Sequence, residues 1–263
     1  MKMLVIGSSD TAGSSLPDPS AAWPVTVGRE LGQAAGESIE VIDLPVFHQG
    51  PKAVPRVVNA LERHQPDLVV FAFGAYAFIV GTVGQRVRRR YGERAYSLFR
   101  RIEVRFEGRT ANAEGRPARL NHAGRWIARR VIGAEPPATR EEVTAIQSEI
   151  MRELARREGI TVVVLFAPPL GASVERENRG ANRKLAEHRD RMTALGRAHR
   201  FLIADCVPGF AAATAGLRHS DGVHKGAAGH RIQADAVMSA LLTPPSPYAP
   251  GSVSASESVQ GMT

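Results

Sequence analysis

Two stretches of this chain hold residue types that do chemistry together. Near the N-terminus, "MLVIGSSDTAG" (3–13) runs from apolar residues into Gly7, Ser8 and Ser9, so hydroxyls stand at the end of an apolar run. Near the C-terminus, "HSDGVHKGAAGH" (219–230) sets Asp221 and His224 three residues apart just before a helix, a spacing that lets a carboxylate orient an imidazole. A serine hydroxyl is a weak nucleophile at neutral pH and needs an adjacent base to take its proton. Taken alone, the first stretch admits three readings: a strand delivering a nucleophile, a phosphate-cradling loop, or a plain turn into a helix. It contains neither GxxxxGK[ST] nor GxGxxG, so the phosphate loop lacks its parts, although glycines before a helix N-terminus still suit an anion. The second stretch alone is equally an N-cap beside a surface histidine.

The elements that must position these residues alternate along the chain. Met3 to Gly7 is an apolar run of strand length, followed by a helix near Pro24 with Val27 and Leu31 on one face and Gly36 beyond its end. "SIEVID" (38–43) is a second strand, and "AVPRVVNALERHQP" carries Val54, Val58 and Leu61 at helical spacing with Pro66 as its stop. "DLVVFAFG" (67–74) is continuously apolar, as parallel strands covered on both faces are. After an interruption at 84–131, Val143, Ile146, Ile150 and Leu154 mark a helical face, "ITVVVLFAPP" a fourth strand and "NRKLAEHRDRMTALGRAH" a helix. "FLIADC" is a fifth strand and "KGAAGHRIQADAVMSALL" a last helix. Strands alternating with helices predict a parallel α/β sheet with helices on both faces, and ligands at the carboxyl ends of its strands. Residues 1–242 are expected to form one domain with an Arg-rich insertion or cap at about 84–131, and 243–263, rich in Pro and Ser, a disordered tail.

The two stretches together resemble the SGNH, or GDSL-type, hydrolase family. That family's first block, Gly-Asp-Ser-x-Thr-x-Gly, is met here by Gly7, Ser8, Ser9, Asp10, Thr11, Ala12 and Gly13. Its last block, Asp-Gly-x-His followed by small residues, Gly and His, is met by Asp221, Gly222, Val223 and His224, then Ala227, Ala228, Gly229 and His230. The resemblance implies a three-layer α/β/α sandwich of about five parallel strands in flavodoxin-like order. It implies a serine esterase or lipase-type hydrolase that cleaves a carboxylic ester through an acyl-enzyme, without metal or organic cofactor. Ser9 would be the nucleophile, His224 the base and Asp221 its orienting partner. The oxyanion hole would take the Ser9 and Gly50 N–H groups. Its third donor in the family is an asparagine, and Tyr76 stands at that position here, just as Ser8 replaces the family's aspartate. Losing one such donor costs about 100- to 1000-fold in turnover. The alternatives are an acyltransferase with the same triad, or a non-catalytic binding module with a degraded oxyanion hole.

Composition bounds the rest. With 263 residues, 43% hydrophobic and 23% charged, the chain is ordinary for a water-soluble domain, and no apolar stretch approaches a membrane span. Met3 to Gly7 is too short for a signal-peptide core, and one cysteine, Cys206, excludes an intramolecular disulfide; both lead us to expect a cytoplasmic protein. No Cys/His cluster has zinc-ligand spacing, and His48, His64, His122, His188, His199 and His219 read as surface or partly buried residues. His230 reads as a packing residue.

The net charge of +8 is concentrated: residues 84–131 hold 14 arginines against 4 glutamates, and the rest of the chain 20 basic against 22 acidic residues. Val83, Val87, Tyr91, Leu98 and Ile102 recur there at roughly helical spacing, as in a basic amphipathic helix. Such a segment can cap the site, touch an anionic membrane surface or form a solvated face. Arg88, Arg89 and Arg90 are its candidate contacts to an anionic small-molecule or lipid ester, because guanidinium forks bind phosphate and carboxylate. A nucleic-acid partner is not favoured, since no aromatic-interleaved basic groove or known binding motif is present.

Overall fold

A computed structural model describes residues 1–8, 11–13, 16–46, 50–74, 76–110, 130–213, 216–218 and 222–243. Among these, five strands form one sheet: β1 Lys2–Gly7, β2 Glu40–Pro45, β3 Leu68–Ala72, β4 Thr161–Leu165 and β5 Leu202–Ala204. All neighbours pair in parallel, in the order β2-β1-β3-β4-β5. This is the flavodoxin-like order expected. The inner strands are buried along nearly their whole length, which explains why they read as unbroken apolar runs. β5 is shorter than its apolar run because only three of its residues find register with β4.

Helices cover both faces. α1 (Trp23–Ala35) and the long C-terminal helix Ala227–Leu242 pack together on one side, the latter also against β4 and β5. α2 (Ala53–His64) and two later helices, Arg140–Ala155 and Ala181–Ala198, line the other. α1 ends at Gly36 in the left-handed conformation (φ 69°), the C-terminal signal that glycine supplies at least cost.

The arginine-rich segment is helical through residue 110, as the spacing of Val83, Val87, Tyr91, Leu98 and Ile102 predicts, and three short α-helices add to those read from the sequence. α3 (Tyr76–Ile79) follows β3, and α4 (Val83–Thr110) comes next. The remaining helices are then α5 (Arg140–Ala155), α6 (Ala172–Glu177), α7 (Ala181–Ala198), α8 (Val207–Ala212) and α9 (Ala227–Leu242). α4 is broken at Gly92 (φ 84°, ψ 178°), a conformation essentially confined to glycine. Its two halves fold back on each other: Gly84 lies against the Tyr96 and Phe99 rings, and the Arg88 guanidinium sits over Tyr96. The segment leaves and rejoins the body at one place, where Thr82 and Glu135 exchange backbone hydrogen bonds of 2.8 and 3.1 Å. Part of the expected insertion, 111–129, and the expected tail, 244–263, lie outside the described residues.

Candidate active site

In this strand order the chain reverses direction across the sheet between β1 and β3, which opens a crevice at their carboxyl ends. A cavity of about 340 Å³ occupies that place. Ser8 and Thr11 reach it from the end of β1, Ala72, Phe73 and Gly74 from β3, and Leu165, Phe166 and Pro168 from β4. Val223, His224 and Lys225 close it from the C-terminal segment. Ala77, Ile79 and Pro137, at the base of the Arg-rich excursion, supply another wall. The walls are mostly apolar, with few polar groups, as small-molecule sites are.

The turn after β1 is tightly built. A Cβ at Gly7 would overlap the Thr11 methyl, so only glycine admits this approach. The Thr11 N–H donates to the Ser8 carbonyl at 3.0 Å. The Thr11 hydroxyl lies 2.7 Å from both the Ser8 carbonyl oxygen and Asp43 Oδ1, so β2 braces the turn from the side. Burial raises the Asp43 carboxyl above the usual carboxylate range, opposed by its hydrogen bond with Thr11. Ser9 and Asp10 themselves lie outside the described residues.

His224 is half-buried at the cavity, in a segment pinned on both sides. Arg218 and Lys225 form an antiparallel bridge, the Gly226 N–H donates to Leu217 O at 3.0 Å, and the Gly171 N–H to Gly222 O at 2.8 Å. Gly222 (φ 70°) and Gly171 touch so closely that a Cβ on either would strike the other chain segment. Asp221 lies outside the described residues. His230 is fully buried, as a packing residue should be, and its Nδ1 accepts the Trp23 N–H at 3.2 Å, tying α9 to α1.

Tyr76 begins α3, lines the cavity and is 45% exposed. Gly50 (φ 91°) is exposed just before α2 and does not line the cavity. Arg88, Arg89 and Arg90 are exposed on α4 and do not line it either. Arg88 pairs with Glu93 at 2.7 Å, Arg89 with Glu135 at 3.4 Å, and Arg90 lies over the Tyr91 ring. Among the described residues, no three His, Cys, Asp or Glu side chains come together as metal ligands would.

The sequence matches no protein-family model and no curated protein. Solved structures do match over nearly the whole chain. One is a protein of Parabacteroides merdae assigned as a GDSL-like lipase, with TM-score 0.55, 14% identity, and 91% of this chain and 94% of that one covered. Another is TesA, with TM-score 0.54, 14% identity and coverage of 92% and 98%. A third is a variant of Axe2, an acetyl-xylooligosaccharide esterase from Geobacillus, with TM-score 0.53, 14% identity and coverage of 92% and 94%. The chain has the SGNH-hydrolase fold. At its crevice the turn that bears Ser8, the histidine segment and Tyr76 from the loop after β3 come together.

Sequence reasoning passed over two functional-site features. The apolar walls Phe73, Phe166 and Leu185 are indistinguishable in sequence from core. His188, read as surface or partly buried, is instead wholly buried at 0% exposure. The signal lay in its register, for Ala181, Leu185, His188, Met192 and Gly196 form the buried stripe of α7.

Proposed function

We propose that this protein is a serine hydrolase that cleaves a carboxylic ester through an acyl-enzyme. Ser9 is the nucleophile, His224 the general base and Asp221 the partner that orients the imidazole. The observation that carries this reading is the shared crevice: His224 and the two residues that frame Ser9, Ser8 and Thr11, line one largely apolar cavity at the carboxyl ends of β1 and β3. The names of proteins with this fold, among them a GDSL-like lipase and an acetyl-xylooligosaccharide esterase, point to the same reaction class.

In this reading the Ser9 hydroxyl adds to the ester carbonyl while its proton passes to His224. The carbon–oxygen bond to the alcohol then breaks, and His224 returns the proton to the departing alkoxide. Water repeats the sequence on the acyl-enzyme, giving its proton to His224, and Ser9 leaves carrying that proton. The apolar walls strengthen each electrostatic contact by excluding water.

A fluorophosphonate followed by intact-mass analysis tests the nucleophile without knowledge of the substrate. One adduct is expected, localised to Ser9, lost in Ser9→Ala and strongly slowed in His224→Ala. Labelling at Ser8, or labelling that survives Ser9→Ala, overturns the assignment.

A further inference from the structure

The β3 loop that carries Gly74 and Tyr76 is held by a chain of hydrogen bonds that runs into the interior and that the ester chemistry itself does not use. Gln147 on α5 donates from Nε2 to the Gly74 carbonyl oxygen at 2.7 Å. Its Oε1 lies 2.7 Å from His188 Nε2 on α7. His188 Nδ1 in turn lies 3.4 Å from the Thr144 hydroxyl, one turn before Gln147 on α5. The amide nitrogen is committed to Gly74, so the amide oxygen must accept, which assigns the ring proton to Nε2. Nδ1 is then an acceptor for Thr144. Each polar atom has one role, and only the neutral imidazole fills its place.

The surroundings make this chain stiff. Gln147 and His188 are both 0% exposed. The Phe73 and Phe78 rings stand steeply inclined to the imidazole, with centroids 5.8 and 5.0 Å away. The charged groups that bear on it are Arg140 from α5 and Arg191 from its own helix, and both oppose a positive ring. A fully satisfied polar chain in low dielectric fixes one arrangement, because any break leaves an unpaired buried group.

The geometry points to Gln147 and His188 as positioning residues that act through the Gly74 carbonyl to hold the β3 loop, and with it Tyr76, in register with the ester-cleaving site. This rests on the hydrolase reading above. A group that stabilises an oxyanion works only at hydrogen-bond distance, and a displacement of about 1 Å costs on the order of 100-fold.

Gln147→Glu is the decisive variant. It keeps the size and the acceptor facing His188, but sets a carboxylate oxygen against the Gly74 carbonyl in place of the N–H. On p-nitrophenyl butyrate kcat is expected to fall about 10- to 100-fold, with KM changed less than about threefold. Thr144→Val, which removes only the far link, should lower kcat by about two- to fivefold and serves if Gln147→Glu does not fold. Met151→Ala is the control, since Met151 shares α5 but packs in the main core. It should lower the melting temperature while leaving kcat unchanged. The proposal is overturned if Gln147→Glu and Thr144→Val keep wild-type kcat, or if Met151→Ala loses as much kcat as Gln147→Glu. A wild-type protein that hydrolyses no ester and takes no fluorophosphonate overturns the hydrolase reading itself, and this proposal with it.

Discussion

In the hydrolase reading proposed above, Tyr76 takes the place of the asparagine of the SGNH pattern, and its hydroxyl would be the substitute for that amide donor. It lines the cavity with His224 and begins α3, with three residues between it and the end of β3. A phenol reaches further from the backbone than an asparagine amide, so the replacement works only if the loop sits deeper or at another angle. The β3 loop here is anchored through Gly74 on Gln147, which is the kind of support such a change requires. Tyr76→Phe deletes the hydroxyl and keeps the ring. Turnover of a p-nitrophenyl ester is expected to drop about 10- to 1000-fold with little change in KM, the signature of an interaction made in the transition state. Wild-type turnover in Tyr76→Phe, with a gain in Tyr76→Asn, would make Tyr76 a packing residue beside an incomplete hole.

Among elements, α7 contributes a pH dependence to the fold through His188. Burial first, then the charges of Arg140 and Arg191, push the His188 imidazole down to about 4 from its ordinary 6.5. The unfolded chain therefore binds a proton that the folded chain refuses throughout that interval. Stability from this group is complete above about pH 6.5 and is lost as the pH falls toward 4, by about 3 kcal/mol at most. Chemical-denaturation midpoints between pH 4 and 7 should show the decline, and His188→Phe should flatten it whatever its own stability. A slope unchanged in His188→Phe would place the acid sensitivity elsewhere. α5 and α7 show what a sequence can and cannot tell. The sheet was legible because parallel strands buried on both faces must be continuous apolar runs, and the serine and histidine segments because their spacing is local. His188 hid among charged neighbours, "AEHRDR", and Gln147 beside Ile146, because a buried polar residue is betrayed only by partners that other elements bring. α4 was legible as a basic amphipathic helix, but not its break, because one glycine, Gly92, is all the sequence shows of the turn that folds it into two halves.

The molecule as a whole separates its apolar crevice from its charge. The crevice is walled by apolar residues, while the positive excess lies in an excursion pinned to the body at Thr82 and Glu135. Arg88, Arg89 and Arg90 engage Glu93, Glu135 and Tyr91, which leaves them exposed on α4 and outside the cavity. Beside them Tyr91 and Leu98 are 61% and 62% exposed. Arginines interleaved with exposed aromatic and aliphatic side chains suit the interface of an anionic bilayer, where guanidinium groups meet phosphates and apolar groups enter the acyl boundary. Long-range attraction of this kind is screened over about 8 Å at physiological ionic strength, so it must weaken with salt. The protein is expected to sediment with phosphatidylglycerol vesicles at low salt and not with phosphatidylcholine vesicles. Replacing Arg88, Arg89 and Arg90 by glutamine should remove most of that binding, and Leu98→Asp should weaken it even at low salt. Both changes should leave the hydrolysis of a small soluble ester intact, because neither touches the cavity. Equal, salt-insensitive recovery with both vesicle types would reduce the arginine-rich helix to a solvated face, its surface ion pairs worth well under about 1 kcal/mol each.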